Sequence, residues 1–102
     1  MSRDVEVPLF AQRVLDLVDT IPPGKVLAYG DIAEYLGEGG PRQVGKVMST
    51  WGGAVAWHRV VHADGVPAPC HDDEALRLLR RDKTPMRGDR VDMRQARWDV
   101  DT

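Results

Sequence analysis

The break Gly37-Glu38-Gly39-Gly40-Pro41 constrains this chain more than any other stretch, because two amphipathic segments abut it with no room for a long connection. Gly37 suits the left-handed residue that ends a helix, Glu38-Gly39-Gly40 makes a tight turn, and Pro41 suits the first turn of the next helix. Upstream, Ile32, Ala33, Tyr35 and Leu36 give a short helix that starts at Gly30-Asp31, with Asp31 as N-cap. Downstream, Val44, Val47, Met48 and Trp51 recur at i, i+3, i+4 and i+7 and share one face, while Arg42, Lys46 and Ser49 fall opposite it. Two short helices joined by a glycine turn, the second with a basic outer stripe, predict a helix-turn-helix. Surface helices that bind nothing carry the same stripe, so this pattern alone leaves DNA binding open.

The flanking segments extend the pattern. Phe10, Val14, Leu17, Val18 and Ile21 predict a first helix with Pro8 in its first turn, stopped by Pro22-Pro23-Gly24. Lys25–Tyr29 reads as extended. After Gly52-Gly53 breaks the third helix, the second half of 54–61 reads as a strand. An Asp64-Gly65 turn and a returning strand through Val66 complete a hairpin. A hairpin behind a helix-turn-helix is the layout of a winged helix. Pro67, Pro69 and Cys70 form an irregular connection to a helix from Asp72 or Asp73 to about Asp82, with Ala75, Leu76, Leu78 and Leu79 inward. Its acids lie in the first turn and Arg77, Arg80 and Arg81 near its end, as the helix dipole favours. The tail is predicted to be irregular and pinned by Val91, Met93 and Trp98. The expected class is α+β, mainly helical, of winged helix-turn-helix type, in one domain over 1–102.

Composition excludes several functions. A chain of 102 residues with 42% hydrophobic and 29% charged positions fits one soluble globular domain rather than a disordered or collagen-like segment. No apolar run approaches the roughly 20 residues of a bilayer span, so no membrane partner is expected. Met1–Glu6 carries acids where a signal peptide needs bases, and a single Cys excludes an internal disulfide and most thiolate metal sites. A reducing cytoplasm is the expected compartment, with association with the nucleoid when bound to DNA. No cofactor or metal is expected, and the chain is expected to be a monomer. The net charge of −2 argues against nucleic acid until it is divided by position. Between Gly39 and Ala63 there is no Asp or Glu but there are Arg42, Lys46 and Arg59, a charge of +3 that leaves −5 for the rest. The field beside the third helix can therefore favour phosphate.

Ile21-Pro22-Pro23-Gly24-Lys25-Val26 with Tyr29, then Pro41-Arg42-Gln43-Val44-Gly45, then Trp57-His58-Arg59-Val60-Val61 with Asp64-Gly65, resembles the DNA-binding, active-site domain of the O6-alkylguanine-DNA alkyltransferases. The resemblance covers residues 8–83, with 84–102 as a tail packed on that core. That family's centre is Pro-Cys-His-Arg-Val, whose Cys takes the alkyl group from a flipped guanine. Here the motif reads Ala56-Trp57-His58-Arg59-Val60, and an indole forms no thiolate with which to displace an alkyl group. The chain thus looks like the alkyltransferase-like subgroup, in which Trp commonly replaces the Cys. The resemblance implies a non-enzymatic protein that binds O6-alkylguanine in duplex DNA, flips the base out and flags it for nucleotide excision repair proteins.

The resemblance also implies roles. Arg42 matches the finger that fills the gap left by the flipped base, and Tyr29 the hydroxyl acting at the flipped nucleotide's phosphate. Gln43, Lys46 and Ser49 are expected at the backbone or groove. Tyr29, Met48, Trp57, His58, Arg59 and Cys70 are expected around the lesion pocket. The family's relay carboxylate falls on Asp82, and without a thiol to activate, the relay is expected to be structural. Pro69-Cys70-His71 repeats part of the motif but precedes Asp72-Asp73-Glu74, whose charges oppose thiolate formation. Three other readings use the same residues: a residual alkyltransferase acting through Cys70, a sequence-specific winged-helix regulator, and a protein-interaction module on the same scaffold.

Overall fold

The computed structural model describes residues 7–70 and 72–101. Met1–Glu6, read above for a signal sequence, His71 of the Pro69-Cys70-His71 triplet, and Thr102 lie outside the described residues. Helix α1 (Leu9–Asp19) buries Ala11, Val14, Leu17 and Val18, the face its periodicity predicts, with Pro8 as its N-cap. Strand β1 is only Leu27–Ala28. Helix α2 (Tyr29–Leu36) ends at Gly37, whose φ of 69° is the left-handed conformation expected there. Its start differs from expectation. Ala28 is the N-cap, and Asp31 sits at the third helical position, its carboxylate accepting from the Ala28 N–H at 2.9 Å. The acid thus caps from inside the helix rather than before it.

Helix α3 (Pro41–Trp51) opens on Pro41 and buries Val44 and Val47. Two short 3-10 turns follow, Gly52–Ala54 and Trp57–Arg59, then strand β2 (Val60–Val61), so His58 and Arg59 belong to a turn and not to the predicted strand. Strands β1 and β2 pair in parallel, Leu27 with Val60 and Ala28 with Val61. The return strand of the predicted wing amounts to one bridge, Val61 with Pro67, around the Asp64-Gly65 turn. Helix α4 is Glu74–Arg81, beginning later than expected; Ala75 and Leu79 are buried and Leu78 only in part.

The tail is ordered, contrary to the irregular segment expected. Strands β3 (Met86–Arg87) and β4 (Arg90–Val91) form an antiparallel hairpin and Met93–Ala96 a short helix, α5. The Val26 N–H donates to Ala96 O, and the Trp98 N–H donates to Val26 O, so the tail adds a rung beside β1. The parallel seam separates two clusters of buried side chains. Leu27 and Val60 join α1, α2 and α3 on one side, while Val26 and Val61 join Leu79, Val91 and Ala96 on the other. This is the two-residue alternation of a strand, here feeding two cores from one short rung. Each fully buried aliphatic side chain contributes about 1.5–3 kcal/mol. Among the described residues, no helix is long and apolar enough to cross a membrane.

Candidate nucleic-acid interface

The outer side of α3 carries the basic stripe. Arg42, Gln43, Lys46 and Ser49 are all exposed, and among the described residues Arg42 and Lys46 have no ion-pair partner. Gln43 is partly committed, because its Oε1 accepts from the Gly40 N–H at 3.0 Å and fixes the start of the helix; only its amide NH2 stays free. Ser49 Oγ donates to Lys46 O at 3.0 Å.

Below the stripe lies a mostly apolar cavity of about 510 Å³. Met48 and Ser49 of α3, Tyr29 of α2 and Trp57 form its near walls, and Cys70 and Glu74 its far rim. Gly45, Gly52 and Gly53 line it without side chains; a Cβ on Gly52 would stand 3.1 Å from Met48 Cε and crowd the opening. Tyr29 is shared with a second depression of about 450 Å³ that Arg42 and His62 also line. The His62 ring tilts against Tyr29, with centroids 5.2 Å apart. Burial raises the Tyr29 pKa, so its hydroxyl remains a donor at neutral pH.

Two residues expected in the pocket are elsewhere. His58 and Arg59 do not line the cavity and are bound to Asp82 instead. His58 Nε2 lies 2.8 Å from Asp82 Oδ2. Arg59 forks onto both carboxylate oxygens, at 2.9 and 3.3 Å, and its third donor reaches Ile21 O at 2.9 Å. Burial lowers the His58 pKa, opposed by the hydrogen bond to Asp82. A neutral ring must therefore carry its proton on Nε2, which leaves Nδ1, buried and without a partner, as a bare acceptor. Burial alone would raise Asp82, but the hydrogen bonds from Arg59 and His58 outweigh it and hold the carboxyl below its usual value. The trio braces the loop that presents Trp57, whose ring meets His58 edge-on at 6.2 Å. Arg59 is consequently not a free cation, and the α3 face offers Arg42 and Lys46 alone rather than the +3 counted along the sequence.

Cys70 is exposed on the cavity rim, where its Sγ accepts from the Ala75 N–H at 3.3 Å. Two side chains that the sequence did not mark as site residues are Glu74, which lines the cavity, and His62, which lines the neighbouring depression. Glu74 read there as a first-turn acid and as one of three charges beside Cys70, and nothing local connected His62 to Tyr29. A further depression of about 540 Å³ between α2 and the tail contains none of the α3 residues. Among the described residues no group of three His, Cys, Asp or Glu is arranged to hold a metal ion.

The family described as 6-O-methylguanine DNA methyltransferase, DNA binding domain, matches residues 9–84. The chain belongs to that family. Among its relatives, a DNA base-flipping protein of Escherichia coli (strain K12) is 34% identical over 95 residues, covering 87% of this chain and 74% of that protein. Alkyltransferase-like protein 1 of Schizosaccharomyces pombe (strain 972) is 44% identical over 59 residues, 55% of each chain. The fold superimposes with a TM-score of 0.76 on S. pombe Atl1 crystallised with damaged DNA containing O6-carboxymethylguanine. That pair shares 26% identity and covers 92% of this chain and 98% of the other. The α+β fold is thus the family's, and α1 to α4 fall within the matched span.

Proposed function

We propose that this protein binds duplex DNA as a non-enzymatic sensor of O6-alkylguanine, acting as a single-domain monomer. The observation that carries this reading is the mostly apolar cavity beside α3, walled in part by Trp57; by the resemblance of Ala56–Val60 to the family motif, we read Trp57 as standing at the position of the nucleophilic Cys. The basic side of α3 docks on the duplex, and the target base turns into the cavity, where the indole gives it an apolar stacking surface worth about 1–3 kcal/mol. Extrusion costs a few kcal/mol, least for a pair already weakened by alkylation. Arg42, exposed and without an ion-pair partner among the described residues, fills the vacated stack and offsets part of that. Tyr29, lying between the cavity and the Arg42 depression, donates to the backbone phosphate of the flipped nucleotide. The bound lesion is then flagged for nucleotide excision repair proteins, as in the family picture.

The test compares matched duplexes with and without O6-methylguanine, by fluorescence anisotropy and then by intact mass of the protein. Preference for the lesion with unchanged protein mass is expected. Equal affinity for the two duplexes would rule the sensor out in favour of a general or sequence-specific DNA-binding protein. One observation supports a second reading: Cys70, an exposed thiol, lines the same cavity. A mass gain of one methyl group on Cys70 would establish a residual alkyltransferase instead.

A further inference from the structure

We infer that Glu74 makes the cavity selective for the charge of the adduct, admitting neutral O6-substituents and rejecting anionic ones. The inference rests on the sensor reading above. Among the described residues lining the cavity, Glu74 is the one charged side chain. Among the described residues no cation lines the cavity beside it. Arg42 lines the neighbouring depression, Lys46 lines another together with Phe10 and Trp51, and Arg59 is bound to Asp82. Arg77, one turn further along α4, is exposed and turns its guanidinium back to Asp72 O at 2.8 Å.

The surrounding charge has the same sign. Asp72 and Asp73 precede Glu74, and both are exposed. The N-terminus of α4 presents about half a positive charge, which three carboxylates exceed. A substituent on the O6 of a base held in this cavity shares it with the Glu74 carboxylate. A neutral group meets Met48, Trp57 and the carboxylate without penalty. A terminal carboxylate meets a like charge and no counter-ion. At about 4 Å, like charges already weaken binding about fivefold in a water-rich site, and a duplex that covers the cavity and excludes water increases the effect. The carboxymethyl adduct in the S. pombe complex is of the disfavoured kind for this chain.

Two adducts of nearly equal shape separate charge from size: O6-carboxymethylguanine and its neutral amide, O6-carbamoylmethylguanine. Affinities are measured for duplexes carrying each, with the unmodified duplex as reference and thermal unfolding as a check on every variant. The full chain should bind the amide at least about fivefold more tightly than the acid. Glu74→Gln should bring the two within about twofold, and Glu74→Lys should invert the order. The ratio cancels any general effect of Glu74 on phosphate repulsion. Equal affinities in the unaltered chain, or a preference that survives Glu74→Gln in a folded variant, overturns the inference while leaving the sensor intact. Failure to bind either adduct above unmodified DNA overturns the sensor reading and the inference with it.

Discussion

At the scale of single residues, the decisive difference is between Arg42 and Arg59. Both count equally in the charge of the sequence, yet one is free and the other clamps Asp82. Arg42→Ala should therefore weaken lesion binding by about 1–3 kcal/mol in anisotropy titrations while leaving the melting temperature unchanged. Asp82→Asn should do the reverse. It strands Arg59 at 17% side-chain exposure and should cost about 3 kcal/mol of stability in urea unfolding. Acid sensitivity follows from the same trio. The folded-state pKa of His58 lies below the ordinary 6.5, so its contribution is fully present above pH 6.5 and is lost as pH falls through the lower folded value. Asp82, held below 3.8, contributes above that pH and loses its share on further acidification. Urea midpoints measured from pH 7 to pH 3 should fall in two stages, and the second should vanish in Asp82→Asn. A midpoint independent of pH would contradict the buried trio. The partner of Arg59 was legible in the sequence only through the family's relay carboxylate; spacing alone never links residues so far apart.

At the scale of elements, the four longer helices were legible, as were β1 within the extended 25–29 and β2 at the end of 54–61, whereas β3, β4 and the short α5 were not. Eleven-residue segments such as α1 and α3 repeat their apolar spacing often enough to be recognised. Two-residue strands offer no alternation to read, which is why the β3–β4 hairpin was taken for an irregular tail. The turn joining them, Gly88-Asp89, reverses the Asp-Gly order that signals a hairpin. The predicted wing amounts to one bridge, Val61 with Pro67, on a strand whose other edge pairs with β1. Gly65 shows what replaces the wing. Its φ is 89°, its carbonyl accepts from the Val91 N–H at 2.9 Å, and a Cβ there would collide with the Val91 carbonyl. Gly65→Ala should thus destabilise the protein by about 2–4 kcal/mol, combining backbone strain with a forced separation of turn and tail. A melting temperature within a degree or so of the parent would show that the turn and tail are not in contact.

At the scale of the whole molecule, charge is arranged rather than accumulated. With Arg59 engaged, the proposed docking gives α3 Arg42 and Lys46, exposed and without an ion-pair partner among the described residues, while Glu74 makes the cavity rim acidic. About two phosphate contacts give a log–log salt dependence with a slope near −2. Anisotropy titrations across a series of potassium chloride concentrations measure it directly. A slope steeper than about −5 would require a footprint well beyond α3. The cavity itself was only half legible from the sequence. Trp57, Met48 and Tyr29 were found through the family's motifs, whereas Glu74 was missed because the fold, not the motif, brings it to the edge.

The seam at β1 has a kinetic consequence. Val26, Leu27 and Ala28 pair with Arg97, Val60 and Val61, which lie far along the chain on one side only. The helices around them close through local contacts and can form within microseconds. The seam's last rung, Val26 against Arg97, closes only when the tail has been gathered against a strand near the beginning of the chain. Because both cores take side chains from the seam, neither is complete before it closes. The slowest step of folding is therefore a parallel docking of distant segments, and its rate should follow substitutions at Val26 and Trp98 more than those on the helix faces.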